Sequence, residues 1–202
     1  MTVDLKCRVA REAATLLYFG AEKEYKQAKL RAAKTLGTHF LPSNLEIALE
    51  LDTIAEGYEG ANRKERLIQM RKEALKIMKL LNVFCPVLVG SVWRGTIKQE
   101  SDIDIAVYAD MPEVIVKVLK AEDIKVLKTE WTKVNKRGTT LASFHIYGQT
   151  STKYGLEIVA RSREEVGKKR KCEIFGDEMK GLNAKELERV LNENPIQQFI
   201  PI

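Results

Sequence analysis

The stretch Val89-Gly90-Ser91-Val92-Trp93-Arg94-Gly95, followed closely by Ser101-Asp102-Ile103-Asp104-Ile105, decides how this chain is read. Val87-Leu88-Val89, bounded by Pro86 and Gly90, has the form of a short buried strand, and Ile103 to Tyr108 of a second. Residues two apart on a strand share a face, so Asp102 and Asp104 are expected to project together while Ile103 and Ile105 enter a core. Neighbouring carboxylates repel, and each raises the other's pKa unless a cation lies between them. Hard oxygen donors of this kind suit Mg²⁺ or Mn²⁺, ions that also bind phosphates. Gly90, lacking a side chain, lets backbone N–H groups approach a phosphate, and the Ser91 hydroxyl can add a hydrogen bond. Together these features predict a triphosphate cradle beside a divalent-metal site.

Before this stretch the chain reads as helix. Asp4 to Leu17 and Glu22 to Leu36 are dominated by Ala, Leu, Lys, Arg and Glu, with Gly20 between them and Gly37 and Pro42 after them. Ser43 with Glu46 is a capping box opening a helix to about Glu56, its buried side assigned to Leu45, Ala48, Leu49 and Leu51. Asn62 with Glu65 repeats the signal for a helix to about Leu81, where Leu67, Met70, Ala74, Ile77, Met78 and Leu81 form one apolar stripe.

After it, Pro112 to Lys120 reads as a connecting helix and Ile124 to Trp131 as a strand, with turn chemistry from Val134 to Gly138. Leu141 to Tyr147 and Tyr154 to Ala160 form an expected antiparallel hairpin. If Gly148 pairs with Tyr154, His145 falls opposite Glu157. Beyond Arg161 the composition predicts a return to helix, ending in one capped by Asn183 and Glu186 and stopped at Asn194-Pro195. The whole is an α+β arrangement: a helical region over 1–82, a catalytic core over 83–161 and a helical segment over 162–202.

Of 202 residues, 45% are apolar and 31% charged, an ordinary globular composition. No apolar run reaches the roughly 18 residues of a membrane span, and the first residues lack the apolar stretch of a signal peptide. Cys7, Cys85 and Cys172 are too scattered for a disulfide framework or zinc cluster, so a reduced cytoplasmic location is expected. A net charge of +6 suits a polyanionic partner.

Here the sequence resembles the DNA polymerase β-like nucleotidyltransferases. Their signature is a hydrophobic residue, Gly-Ser or Gly-Gly, a spacer, then acid-hydrophobic-acid. It looks especially like small prokaryotic members with Gly-Ser-x-x-Arg-Gly-x5-Ser-Asp-Ile-Asp, which Gly90 to Asp104 match at every specified position. The likeness is specific over 87–107 and looser to Arg161. The helical segment with EKEYKQAKLRAAKTLG looks like those of archaeal relatives.

The resemblance implies a nucleoside triphosphate as substrate and Mg²⁺ or Mn²⁺ held by Asp102, Asp104 and a third carboxylate. Glu157, the one acid in the apolar strand Leu156-Glu157-Ile158-Val159, is the candidate, with Glu130 as rival. Gly90, Ser91, Arg94 and Ser101 are the nucleotide-binding candidates, although Arg94 equally suits a structural ion pair to an acid such as Glu100, and Ser101 a loop cap. Trp93 and Trp131 are expected in the core, and His145 as a packed, hydrogen-bonded residue. The acceptor is an RNA end, a protein hydroxyl or a small molecule. A binding module without turnover, antitoxin-like, is the competing reading.

Overall fold

The structure, a computed structural model, describes residues 2–122, 124–136 and 139–201. Six strands form one mixed sheet in the order β3-β4-β5-β2-β1-β6: β1 (Val87–Val89), β2 (Ile103–Tyr108), β3 (Lys125–Lys136), β4 (Thr139–Gln149), β5 (Gly155–Arg161) and β6 (Leu182–Asn183). Strands β2 and β5 are parallel, and the other pairings are antiparallel. Helices α1 (Thr2–Tyr18), α2 (Tyr25–Thr35), α3 (Asn44–Leu80), α4 (Gly90–Arg94), α5 (Glu113–Ala121) and α6 (Ala184–Glu193) complete the α+β fold. Among the described residues no helix is long and apolar enough to cross a membrane.

Strand alternation sorts the sheet into two unlike faces. Leu88, Ile103, Ile105, Val107, Ile146 and Ile158 are buried and pack on the apolar stripe of α3, with Ile115 and Leu119 of α5 and Leu187 and Val190 of α6. Burying each such side chain contributes about 1.5 to 3 kcal/mol. The opposite face carries the acids. A separate core, formed by Val9, Ala13, Leu17, Ala28, Ala32 and Ile47, joins α1 and α2 to the start of α3.

The capping boxes expected at Ser43 and at Asn183 form: Glu46 N–H donates to Ser43 Oγ at 3.2 Å, and Glu186 N–H to Asn183 Oδ1 at 3.0 Å. The third does not. Helix α3 runs through Asn62 and breaks instead at Gly60, whose φ of 50° and ψ of −128° are non-helical. On its first half Ile47 is buried and Leu49 is 43% exposed, so the apolar stripe lies slightly round the helix from its expected position.

Residues 162–181 are not helical apart from a 3₁₀ turn at Arg163–Glu165; they form an irregular strap with one bridge between Lys171 and Glu178. Their Lys, Arg and Glu content favours helix, but no apolar period accompanies it to bury one face. The β3–β4 hairpin is longer than its apolar residues indicate and pairs as far as Lys136 with Thr139; Arg137 and Gly138 of the expected turn lie outside the described residues. Trp131 is 54% exposed on edge strand β3, with its ring against that of Phe144, rather than in the core.

Two buried arginines of α3 hold the segment that follows β1. Arg63 Nε donates to Ile97 O at 2.7 Å. Arg71 donates to Val92 O, Trp93 O, Pro195 O and Gln197 O at 2.7 to 3.1 Å. Burial lowers the Arg71 pKa to about 10, so it remains a charged donor at neutral pH. Replacing Arg71 with Met keeps most of its volume and strips four carbonyls of their donor, which should cost roughly 3 kcal/mol or more. Urea unfolding followed by tryptophan fluorescence measures this, and Arg71→Lys should rescue little, because one ammonium cannot reproduce the guanidinium fork.

Candidate active site

Strand β1 ends at Val89, which pairs with Asp104 on β2, and Asp104 in turn pairs with Glu157 on β5. Cross-strand partners share a face, and Asp102 lies two residues before Asp104 on that same face. The structure therefore brings Asp102, Asp104 and Glu157 together at the end of β1, where Gly90 and Ser91 begin α4.

Two glycines make room for the aspartates. A Cβ on Gly90 would stand 1.9 Å from Asp104 Oδ2, and one on Gly155 would stand 1.9 Å from Asp102 Oδ1. Gly90 also has a φ of +70°, which L side chains adopt only with strain. Its role here is wider than the phosphate approach expected of it: the Asp104 carboxylate lies directly over its Cα. Gly155 escaped the sequence reading, although a glycine opening the apolar strand that carries Glu157 was a usable signal.

The acids feel one another. Burial first, then the Glu157 and Asp102 charges, push the Asp104 carboxyl up to about 7. Asp102 is raised as well, by burial and then by Glu157, with Lys98 opposing. Among the described residues no three His, Cys, Asp or Glu side chains stand clustered as a ready-made metal site. Glu157 Oε1 meets His145 Nδ1 at 2.7 Å, and His145 Nε2 meets Ser143 Oγ at 2.9 Å. A carboxylate only accepts, so His145 Nδ1 donates to Glu157. The donor set is nonetheless the one a hard divalent cation takes: three carboxylates on one face, two of them raised by burial and then by neighbouring negative charge.

The β4–β5 register differs from the expected one by two residues. His145 pairs with Val159, and Tyr147 is the residue opposite Glu157. A slip of two preserves the face, so His145 still reaches Glu157 diagonally. Tyr147 was missed. Its hydroxyl donates to Glu130 Oε1 at 3.1 Å, and its pKa is pushed up to about 12 by burial and then by the Glu157 charge. Glu130, the rival third acid, pairs with His145 on the same face but one strand further from the aspartates, and binds Lys128 and Tyr147.

The remaining candidates support the loops. Arg94 is buried: its guanidinium grips Asp177 through both carboxylate oxygens at 2.7 and 2.9 Å and donates to Phe199 O at 2.8 Å. It also lies over the Trp93 and Phe175 rings. This is the structural ion pair, made to Asp177 rather than Glu100, and it leaves Arg94 braced against the C-terminal segment instead of free for a nucleotide. An acid 83 residues away leaves no sequence signal. Ser101 Oγ accepts from Lys98 N–H at 2.9 Å, closing the loop before Asp102. Trp93 is in the core, as expected.

Residues 71–145 match the family model described as a nucleotidyltransferase domain, a span that includes Gly90, Ser91, Asp102 and Asp104 and stops short of Glu157. No curated protein matches the sequence. Two solved structures resemble the fold weakly. One, described as the structural basis for the activity of a cytoplasmic RNA terminal U-transferase, is 16% identical, with 60% of this chain and 35% of that one aligned at a TM-score of 0.35. The other, a GLD-2/RNP-8 complex, is 12% identical, with 61% and 39% aligned at 0.35. The chain thus spans well under half of either, and likeness at that level decides nothing about activity. What the comparisons show is therefore a match to a nucleotidyltransferase domain over residues 71–145, the span that holds the Gly-Ser turn and both aspartates.

Proposed function

We propose that the protein is a metal-dependent nucleotidyltransferase that moves a nucleoside monophosphate from a nucleoside triphosphate to a hydroxyl acceptor. The observation that carries this reading is the set of three carboxylates on one sheet face beside the Gly-Ser turn. Asp102, Asp104 and Glu157 would hold Mg²⁺ or Mn²⁺, which when bound neutralises charge on the phosphates and on the attacking and leaving oxygens. Gly90 and Ser91 receive the triphosphate. Asp104, raised to about 7, would give up its proton and become fully ionised beside a bound cation, because opposite charge lowers a carboxyl pKa. Glu157 accepts the acceptor's hydroxyl proton, and His145, tied to Ser143, fixes the angle of that carboxylate.

A nucleoside triphosphate should raise the melting temperature only with Mg²⁺ or Mn²⁺ present, since phosphates and acids are both negative. At one hundred times the dissociation constant the gain is about 2.7 kcal/mol. Ser91→Ala should reduce it by roughly 1 kcal/mol. A shift of equal size with sulfate and no metal would return the chain to a polyanion-binding module.

A further inference from the structure

The acid-bearing face does not end at the acids. Continuing along it, Val87, Val89, Ala106, Tyr108, Val159 and Arg161 form the floor of a cavity of about 580 Å³, whose outer wall is the strap 166–170 and 178–180 with the start of α6. Val89 and Ala106 flank Asp104 in the register, so the floor is continuous with the site. Arg161 stands four residues beyond Glu157 on β5, about 13 Å along the strand.

The lining holds six cations, Arg161, Lys168, Lys169, Arg170, Lys180 and Lys185, against one acid, Glu178. Lys169 is paired with Glu178, and Arg170 with Glu165. Lys168, Lys180 and Lys185 have no ion-pair partner among the described residues and are exposed. Arg161 Nε is buried and makes no hydrogen bond. An orphaned buried donor of this kind wants an oxygen acceptor. A ligand fitting this cavity carries several negative charges on one side and an apolar, flat surface on the other, which a nucleotide strand does and an acidic peptide does not. The triphosphate's own charge belongs with the acids and their cations, at the other end of the face.

We propose that this cavity seats the end of a single-stranded nucleic-acid acceptor. Its phosphates lie against Arg161, Lys168, Lys180 and Lys185, its base and sugar on the valine floor, and its terminal hydroxyl beside Asp104 and Glu157. The assignment rests on the transferase reading. The hydroxyl oxygen forms a bond to the α-phosphorus of the triphosphate. The bond from that phosphorus to the bridging oxygen breaks, pyrophosphate leaves with its electron pair, and the hydroxyl proton passes to Glu157 and then to solvent.

The test is fluorescence anisotropy with a labelled 12-nucleotide single-stranded RNA, in EDTA and without nucleotide. It compares the wild type with the triple variant Lys168→Ala, Lys180→Ala, Lys185→Ala and with Asp104→Asn. Replacing three exposed lysines spares the core. The triple variant should bind at least tenfold more weakly, and the slope of log K against log salt should shrink by about 2, at roughly 0.7 per lost phosphate contact on a single strand. Asp104→Asn should bind at least as tightly as wild type, because it removes a negative charge from the path. The metal-dependent melting shift with triphosphate should survive in the triple variant.

RNA binding unchanged in the triple variant overturns the proposal. So does loss of its triphosphate shift, which would make the cavity the nucleotide's own seat, or displacement of the RNA by polyglutamate at equal charge. Lysine-dependent RNA binding by a wild type that shows no metal-dependent triphosphate shift would support the cavity as a strand site and overturn the transferase reading alone.

Discussion

Replacing Asp104 with Asn should abolish nucleotidyl transfer, by about 10³-fold or more, while leaving the protein folded and, in EDTA at neutral pH, more stable. The activity loss follows from removing the carboxylate that lies between its two partners on the sheet. The stability gain follows from the same crowding. The Asp104 carboxyl titrates at about 7 in the folded protein against 3.8 for an ordinary aspartate, with burial the main cause and Glu157 and Asp102 adding to it. A raised folded pKa means that the folded state binds the proton more tightly than the unfolded one. Stability from this group is therefore complete below about 4 and is lost as pH rises toward about 7. At pH 8 the wild type should carry a penalty on the order of 1 to 3 kcal/mol, allowing for screening at a partly exposed group, and Asp104→Asn should remove it. Urea midpoints at pH 4.5 and pH 8 give the measurement. If the two proteins show the same pH slope, Asp104 is not the strained carboxylate.

A single methyl group at Gly90 should be almost as damaging. Gly90→Ala puts a Cβ 1.9 Å from Asp104 Oδ2 and 2.7 Å from its Cγ, at a φ of +70° that alanine resists. The backbone strain alone costs about 1 to 2 kcal/mol. The clash adds to it, and relieving it means swinging the carboxylate off its face, so triphosphate stabilisation should vanish together with transfer. Because the contact is specific, the effects should not add. In a Gly90→Ala, Asp104→Gly double variant, part of the stability should return, with a coupling of roughly 0.5 to 3 kcal/mol. A purely additive double variant would mean that the turn, and not the carboxylate above it, sets the need for glycine.

Much of this site could be read from the chain because its parts are local. Gly90 to Asp104 is one strand, one turn and one strand, and the alternation of a single acid with Leu156, Ile158 and Ala160 placed Glu157 on a face without knowledge of its neighbours. Parity is what survives uncertainty in pairing: the two-residue slip moved Tyr147 opposite Glu157 and yet left His145 within 2.7 Å of it. Contacts that close over long separations were out of reach. Arg94 has the look of a phosphate ligand until Asp177 arrives, and Arg71 is one cation among many on a helix until four carbonyls converge on it. The strap failed for a different reason. Charged residues with good helix propensity satisfy the local preference for helix, while its partly buried Ile174, Phe175 and Met179 follow no helical spacing.

Arg71 also imposes an order of events on synthesis. A chain leaving the ribosome from its N-terminus presents α3, β1 and α4 early, but two of the four carbonyls that Arg71 grips, and the Phe199 backbone that pairs in both directions with Arg94, arrive more than one hundred residues later. Until residues 195–199 emerge, the turn after β1 is held by only half of its clamp. A nascent or prematurely terminated chain should thus contain every acid of the centre and still bind triphosphate poorly. Competence to bind triphosphate would then arrive only once residues 195–199 have packed against Arg71 and Arg94, well after the acids themselves have been made.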